Sequence, residues 1–454
     1  MITKCVQDYG AIGDGITDDT LAVEEWLNDA GKETCTAVLE EKKIYKTTRE
    51  ISICIDEKVE LLIDGKNSMI KPTFGMETNC GVKTPFLFHP TGNQEDGIKL
   101  EIKNLTIDSS SSPYFAPTTE TDLRGIGAIR IYNIPIVNIE NYNVNGCYFA
   151  SGLGIYRHTT AYLKNIRMTD VGTKYKPHEN STAGVDMAGD ALYFEITKTG
   201  ETTVENFEAS TTMSRLGRAG IVFENFQPEL QIQHNVFLNN VSLYNYQRTI
   251  HEEDHASCLV KWNGGVVTGF SKALMTWCGT KGYECKNVQF DVNPPFMYGF
   301  GMGLVGAGDP NNVERGLYLF KNCIINYLGA DCIENGAQLF EDCLINLNAY
   351  VVKDCSTLQF KNTNVVRTDG YIRIQNDGDD INVLGGTWEN KGPISCPSVM
   401  YSMKRNVNVQ NTMFIGCEID SCGCCKCCCC DCCNTCPSQG RCRYLCYIPC
   451  CSAS

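Results

Sequence analysis

Acidic and basic side chains that could act together on one bond cluster between residues 186 and 262 of the chain. They come from the segments VDMAGD, RLGRAGIVFEN and HEEDH, and they are Asp186, Asp190, Arg218, Glu224, Glu252, Glu253 and Asp254. Hydrolysis of a glycosidic bond requires two carboxylates that flank it. β-Elimination from an acidic sugar requires a base and a cation that neutralises the sugar carboxylate. The set therefore predicts a candidate catalytic site of one of these two kinds, with no required cofactor.

Structural roles explain the same residues in another way. HEEDH could be a charged loop in solvent, and Asp190 with Arg218 could form an ion pair between neighbouring segments. Trp262 follows shortly after HEEDH. Its ring could provide a surface for the apolar side of a sugar, because aromatic faces suit such contacts. The sequence leaves open whether this region is catalytic.

A short repeat supplies the elements that would bring these segments together. The pattern apolar–x–Asn–x–x–apolar recurs from IKNLTI (102–107) to VQNTMF (409–414). Its central residues are Asn104, Asn141, Asn165, Asn206, Asn240, Asn287, Asn322, Asp342, Asn362 and Asn411. Repeats with insertions of variable length are typical of solenoids, and short β-branched and aromatic runs are typical of strands. The pattern predicts a parallel β-helix, and it fits a leucine-rich repeat less well because L-x-x-L-x-L is missing.

The repeated asparagine has a physical role in such a fold. Asparagine tolerates the left-handed conformation of a tight turn, and stacked amides can bond to one another along the solenoid. Cys323 and Cys343 follow this position in adjacent coils, so we expect both thiols to point inward. The spacing would allow a disulfide, but buried cysteine more often behaves as a small apolar residue.

The N-terminal segment TDDTLAVEEWLNDAG (17–31) predicts one amphipathic helix. Thr17 or Asp18 can cap its start and Gly31 can end it. Its apolar stripe consists of Ala22, Val23, Trp26 and Leu27. An open β-helix end exposes unpaired strand edges, so we expect this helix to cover that end. The predicted division is a cap of residues 1–35, coils of residues 36–416 and a separate module of residues 417–454.

The segment VQDYGAIGDGITDDTLAVEEWLNDA resembles the N-terminal signature of the pectate lyase superfamily, which is widely found in phage tail spikes. Residues 37–53 and 59–72 resemble the first coils of that family. The resemblance implies an all-β fold, a right-handed single-stranded β-helix that is usually trimeric and often belongs to a viral adsorption device. Many members cleave host-surface polysaccharide, while others only bind it. Gly-His-Gly is absent, which disfavours the mechanism of the pectinase-type hydrolases of this fold.

Composition and charge limit the kinds of partner that the chain can bind. The formal net charge of −14 argues against nucleic acid, which would require a basic face. No secretory signal peptide is visible in MITKCVQDYG, and no apolar run is long enough to span a membrane. The resemblance implies a homotrimer on a virion or extracellular surface that contacts a glycan and other virion or surface-assembly proteins. A non-enzymatic structural or receptor-binding adhesin on the same scaffold is the alternative.

Cysteine is concentrated at the C-terminal end. Of the 28 cysteines, fifteen lie between residues 417 and 451. This segment has too few apolar residues to fold by burial alone. Disulfides would stabilise it on an extracellular particle, whereas thiolate-bound Zn²⁺ or an iron–sulfur cluster would do so in a reducing compartment. We favour disulfides and keep a structural metal as the alternative.

Overall fold

The computed structural model describes most of the chain up to residue 419. The described residues are 2–75, 81–92, 97–113, 124–148, 150–172, 189–212, 217–227, 232–254, 258–270, 272–276, 280–293, 303–307, 315–328, 332–348, 351–367, 373–376, 380–391, 398–402, 407–415 and 417–419. Within these ranges no helix is both long enough and apolar enough to cross a membrane. The cysteine-rich segment from residue 420 onward lies outside them. Its predicted disulfides or metal therefore stay predictions, as do the proposed domain boundaries.

The described residues form strands almost throughout, with one 3₁₀ turn at Val6–Tyr9 and one α-helix, α1, at Thr20–Ala30. The strands are β1 (Ile2–Cys5), β2 (Asp14–Asp18), β3 (Cys35–Val38), β4 (Ile44–Thr47), β5 (Ile51–Ile55), β6 (Glu60–Pro72), β7 (Gly81–Lys83), β8 (Phe86–Pro90), β9 (Lys99–Asp108), β10 (Arg124–Ile126), β11 (Ile129–Tyr132), β12 (Ile136–Tyr148), β13 (Leu153–Tyr156), β14 (Thr160–Gly172), β15 (Leu192–Glu195), β16 (Gly200–Ser210), β17 (Gly217–Asn225), β18 (His234–Tyr244), β19 (Tyr246–Asp254), β20 (Leu259–Thr268), β21 (Lys272–Thr276), β22 (Thr280–Val292), β23 (Gly303–Ala307), β24 (Arg315–Lys321), β25 (Ile324–Tyr327), β26 (Cys332–Asn335), β27 (Ala337–Glu341), β28 (Leu344–Leu347), β29 (Val351–Asp354), β30 (Leu358–Lys361), β31 (Asn364–Arg367), β32 (Arg373–Asn376), β33 (Ile381–Leu384), β34 (Thr387–Asn390), β35 (Ser398–Ser402), β36 (Val407–Gln410), β37 (Met413–Ile415) and β38 (Cys417–Ile419).

Each strand pairs with its counterpart in the next coil. β12 runs parallel to β9 on one side and to β14 on the other, so that Ile139 lies between Ile102 and Leu163. The strands form sheets of 24, nine and five strands in the described part of the chain. The nine-stranded sheet runs from β5 to β23 in chain order, one strand per coil. The chain is therefore a right-handed, single-stranded parallel β-helix, which confirms the predicted fold.

An asparagine ladder follows the corner of each coil, as the repeat predicted. All ten residues of the repeat adopt left-handed backbone conformations, with φ between 49° and 55°. Asn141 donates its side-chain N–H to Oδ1 of Asn104 at 3.0 Å. Asn165, Asn206 and Asn240 each donate in the same way to the preceding asparagine, at 3.0 Å. The ladder thus binds successive coils through side chains as well as through the backbone.

Inward side chains stack along the same axis. The rings of Phe320, Phe340 and Phe360 lie parallel with centroids 5.1 Å apart at each step. The ladder positions two residues after these rings therefore superpose, as predicted. Cys323 and Cys343 are buried and their thiols are free, which matches the expectation of small apolar residues.

The predicted amphipathic helix is present as α1, which packs against β3 and β5. Val23, Trp26 and Leu27 are fully buried. The helix begins at Thr20 with Asp19 as its N-cap, one residue after the predicted Asp18, and the carboxylate of Asp19 accepts the N–H groups of Ile12 and Gly13 instead of capping the helix. At Gly31 a Cβ atom would lie 2.1 Å from the carbonyl oxygen of Cys54. Only glycine therefore fits where the helix meets the first coil.

Two buried histidines form a hydrogen-bonded chain through a threonine. Nδ1 of His234 lies 3.1 Å from the carbonyl oxygen of Lys198, which can only accept, so Nδ1 carries a proton. Nε2 of His234 then accepts from the Thr202 hydroxyl at 2.9 Å. The same hydroxyl oxygen accepts from Nε2 of His158 at 2.8 Å. Both rings are therefore neutral, and burial lowers the pKa of each.

We expect this chain to make the fold sensitive to acid. Because an unfolded histidine has a pKa of about 6.5, the unfolded chain binds more protons than the folded chain below that pH. The stability that the two neutral histidines contribute is therefore fully present above about pH 6.5. It is lost as the pH falls, by about 1.4 kcal/mol per pH unit for each histidine. Melting temperatures of wild type and His158→Gln between pH 7.5 and pH 5 test this.

The variant should lose less stability on acidification than wild type. His89→Gln is the matched control, because His89 lies on the outer side of β8 and is only partly buried. Equal acid sensitivity in wild type and His158→Gln would contradict the prediction.

Candidate functional site

The predicted site residues that are described lie mostly on the outer face of the nine-stranded sheet. One outward row of this sheet consists of Tyr132, Tyr156, Glu195, Glu224 and Glu253, because strand pairing aligns these positions. Neighbouring members are one strand apart, or about 4.8 Å. Stacking of coils therefore brings together side chains from RLGRAGIVFEN and HEEDH, as the repeat predicted.

Arg218 connects the acidic segments. Its Nε and Nη2 donate to the two carboxylate oxygens of Asp190, each at 2.9 Å. Its Nη1 donates to Oε2 of Glu253 at 2.8 Å. Asp190 also accepts the backbone N–H of Ala219 at 3.2 Å. The Arg218 side chain is only 12% exposed, so this is a nearly buried, bidentate ion pair with a third charged partner.

Burial and charge act in opposite directions on this network. Burial raises the pKa of Glu253, and the guanidinium of Arg218 partly offsets that effect. Burial by itself would lower the pKa of Arg218, but the carboxylates of Asp190 and Glu253 raise it. Arg218 therefore remains a fixed cation between two acidic side chains.

Glu224 has a different partner. The hydroxyl of Tyr193 donates a short hydrogen bond to Oε2 of Glu224. Both side chains are nearly buried. Burial and the adjacent carboxylate raise the pKa of Tyr193, so its hydroxyl keeps its proton.

A stripe of three tyrosines leads along the outer face to this network. The rings of Tyr132 and Tyr156 stack with centroids 4.1 Å apart, and those of Tyr156 and Tyr193 are 5.1 Å apart. A Cβ atom on Gly154 would lie 2.8 Å from the Tyr156 ring, so glycine leaves room for the ring in this position. Sequence analysis missed these tyrosines. The signal was the dipeptide Ile-Tyr at the end of both β11 and β13.

Glu252 faces the opposite way from Glu253. Strand alternation aligns it with the inward residues Phe194 and Phe223, and it is 1% exposed. Its carboxyl group accepts from the Thr280 hydroxyl at 3.0 Å and from the Cys258 N–H at 3.3 Å. Burial raises the pKa of Glu252 to about 8. Glu252 therefore lies in the core and not on the outer face.

The remaining predicted residues divide into two groups. Asp186 lies outside the described residues, as does the side chain of Asp254, whose backbone ends β19. Trp262 is 1% exposed, and its Nε1 donates to the carbonyl oxygen of Gly264 at 3.0 Å. The predicted sugar-stacking role of Trp262 is wrong, because this position of β20 points inward.

One histidine near the network was not singled out from the sequence. Nη1 of Arg248 lies 3.2 Å from Nδ1 of His251. A guanidinium can only donate, so Nδ1 accepts and the proton of the neutral ring is on Nε2. Burial lowers the pKa of His251, which keeps the ring neutral. In the described part of the chain, no cluster of three or more His, Cys, Asp or Glu residues could hold a metal ion.

The chain matches no model of a known protein family and no curated protein. Several solved structures are similar in fold. The surface adhesin PfbA of Streptococcus pneumoniae is 16% identical over 92% of this chain and 93% of its own, with a TM-score of 0.49. Tailspike protein 3 of bacteriophage CBA120 is 12% identical over 91% of this chain and 61% of its own, with a TM-score of 0.40.

An exopolygalacturonase of Yersinia enterocolitica is 10% identical over 93% of this chain and 78% of its own, with a TM-score of 0.37. All three are right-handed parallel β-helices of the pectate-lyase-like kind. The likeness to all three is one of fold alone.

Removing the buried acid should change how stability depends on pH. An unfolded glutamate has a pKa of about 4.3, so between that pH and about 8 the folded chain holds a proton on Glu252 that the unfolded chain has lost. The stability that this proton contributes to the fold is fully present below about pH 4.3 and is lost as the pH rises, by about 1.4 kcal/mol per pH unit. We expect Glu252→Gln to melt at a higher temperature than wild type at pH 8, and with a smaller difference at pH 5.

The matched control is Glu208→Gln, whose side chain is 51% exposed. It should melt like wild type at both pH values. A Glu252→Gln protein that is less stable than wild type at pH 8 would show that the carboxyl group is charged in the fold.

Proposed function

We propose that this chain is a glycan-binding protein of a virion or cell surface, and that its ligand lies along the outer face of the nine-stranded sheet. The observation that carries the proposal is the continuous stripe from Tyr132 through Tyr156 and Tyr193 to the Arg218 network. Aromatic rings suit the apolar faces of sugars. Carboxylates and guanidinium groups hydrogen-bond strongly to hydroxyls.

The hydrogen bonds that the carboxylates already accept favour binding over cleavage. Asp190 accepts two bonds from Arg218 and one from Ala219, and Glu224 accepts from Tyr193. A proton-transfer catalyst must reach the scissile bond and exchange its proton there. Groups already held in this way are better suited to forming a rigid, preorganised surface, which lowers the entropic cost of binding.

Depolymerisation is the second candidate function, and the different surroundings of the Glu253 and Asp190 carboxyl groups favour it. Burial raises the pKa of Glu253, while Asp190 is held by both forks of one guanidinium. Two carboxyl groups in such different environments are the usual arrangement of an acid and a base or nucleophile. Glu253 would then protonate the leaving oxygen. A lyase would instead use Arg218 to neutralise a sugar carboxylate.

We also propose that the chain assembles as a homotrimer with other virion or surface-assembly proteins. The support is the resemblance of residues 6–75 to a family whose members are usually trimeric. Sedimentation equilibrium of purified protein should give three times the chain mass of 50.4 kDa.

Glycan binding is tested by affinity electrophoresis in gels that contain purified bacterial capsular polysaccharides. We expect at least one polymer to retard wild type, and Tyr156→Ala to weaken retardation at least tenfold, or by about 1.4 kcal/mol. Tyr162→Ala is the matched control, because Tyr162 is a partly buried tyrosine of β14 on another sheet. Equal retardation of wild type and Tyr156→Ala would contradict this placement of the ligand.

Depolymerisation is tested by light scattering of any polymer that binds. If the second candidate holds, wild type lowers the polymer mass, and Glu253→Gln does so at least a hundredfold more slowly, as expected for loss of a general acid. Ultraviolet absorbance from unsaturated sugar ends would identify elimination. Constant polymer mass with wild type would rule out cleavage of that polymer and leave binding intact.

A further inference from the structure

A groove with a volume of about 400 Å³ lies at the asparagine ladder, away from the nine-stranded sheet. It crosses four coils of the 24-stranded sheet. One wall consists of the ladder residues Asn287, Asn322 and Asp342. Its size falls within the range of ligand pockets, about 300–1,000 Å³.

Along the ladder, asparagines donate a side-chain N–H to a residue of the preceding coil. This series of hydrogen bonds is interrupted inside the groove. Nδ2 of Asn322 donates to Oδ1 of Asn287 at 2.6 Å, and Nδ2 of Asn362 donates to Oδ1 of Asp342 at 3.3 Å. Asp342 is the one carboxylate among the ten repeat positions, and its side chain has no N–H to donate to Asn322. The step between Asn322 and Asp342 therefore presents acceptor oxygens from both sides.

Glycine opens the groove at one end. In the coil between Asn240 and Asn287, the ladder position is Gly264, with φ of 77°. The next residue, Gly265, takes the place of Val241 and lines the groove. Nδ2 of Asn287 donates instead to Oδ1 of Asn263, the residue before Gly264, at 2.8 Å.

The second wall is mostly aliphatic. Ile324 and Leu344 are paired in adjacent coils and are 41% and 36% exposed. Gln289 precedes Ile324 in this row, and Val266 ends the row beside the glycines. The groove therefore has a row of hydrogen-bonding ladder residues beside a row that is aliphatic except at Gln289.

We propose that this groove is a second glycan-binding site, specific for sugars that carry hydroxyl or amino groups and no carboxylate. Hydroxyls or an ammonium group supply the donors that the Asn322–Asp342 step lacks. The C–H face of a pyranose packs against Ile324 and Leu344. The carboxylate of Asp342 repels a uronate. The coil rise of about 4.8 Å is close to the length of one pyranose in an extended chain, so successive sugars meet equivalent positions.

The ligand class rests on the proposed glycan function, but the site is independent of the tyrosine stripe. Isothermal titration calorimetry uses three defined probes: cellohexaose, chitosan hexamer and hexagalacturonate. We expect wild type to bind at least one of the first two, and hexagalacturonate to bind at least tenfold more weakly. Asp342→Asn supplies the missing amide donor to Asn322, so it should weaken binding at least tenfold while it keeps or raises the melting temperature.

Asn206→Asp is the matched control, because it places a carboxylate in the ladder outside the groove. It should bind like wild type. The inference is overturned if no probe binds, if hexagalacturonate binds best, or if Asp342→Asn binds like wild type. Binding lost in Tyr156→Ala and kept in Asp342→Asn would support the tyrosine stripe and overturn this second site.

Discussion

The fold depends on the hydrogen bonds that hold each coil in parallel register on the one before it. Because the pairing is in register, Asp190 and Arg218, 28 positions apart, become direct neighbours, and so do Arg218 and Glu253, 35 positions apart. Side chains alternate between the two faces of a strand, so a register shift of one residue would turn every outward side chain inward. The candidate site therefore exists only as long as the coils between residues 189 and 254 keep their pairing.

The asparagine ladder protects that register. A left-handed residue at the same corner of successive coils fixes where the chain turns, and the side-chain hydrogen bond to the preceding coil favours one alignment over its neighbours. The left-handed conformation costs less free energy at asparagine than at most other residues with a side chain. Glycine occupies the corner in two coils, at Gly264 and Gly385, with φ of 77° and 78°. The left-handed backbone is thus maintained without an asparagine at the corner, and at the first of these coils Asn263 accepts the side-chain bond of Asn287 instead.

Much of this architecture was predictable from the sequence, because the repeat marks a backbone conformation. The site was less predictable because register decides orientation. Glu252 and Glu253 are adjacent in HEEDH, yet one lies in the core and the other on the outer face. Trp262 was expected on the surface and is buried, since the pairing that aligns it with the inward Leu238 leaves no trace in the composition. The tyrosine stripe joins residues of three coils, so it is visible only once those coils are stacked.

Stacking also creates an electrostatic problem on the outer face. Glu195, Glu224 and Glu253 occupy one row in consecutive coils, and like charges directly opposite each other on paired strands are destabilising. Each carboxylate has its own donor, and these donors are Arg157, Tyr193 and Arg218, respectively. Tyr193 is uncharged and Arg218 is shared with Asp190, so the protein holds the row by hydrogen bonds without neutralising all of its charge. Hydroxyl groups of a ligand can donate to such carboxylates, which is the physical basis for proposing a sugar chain as the ligand of this surface.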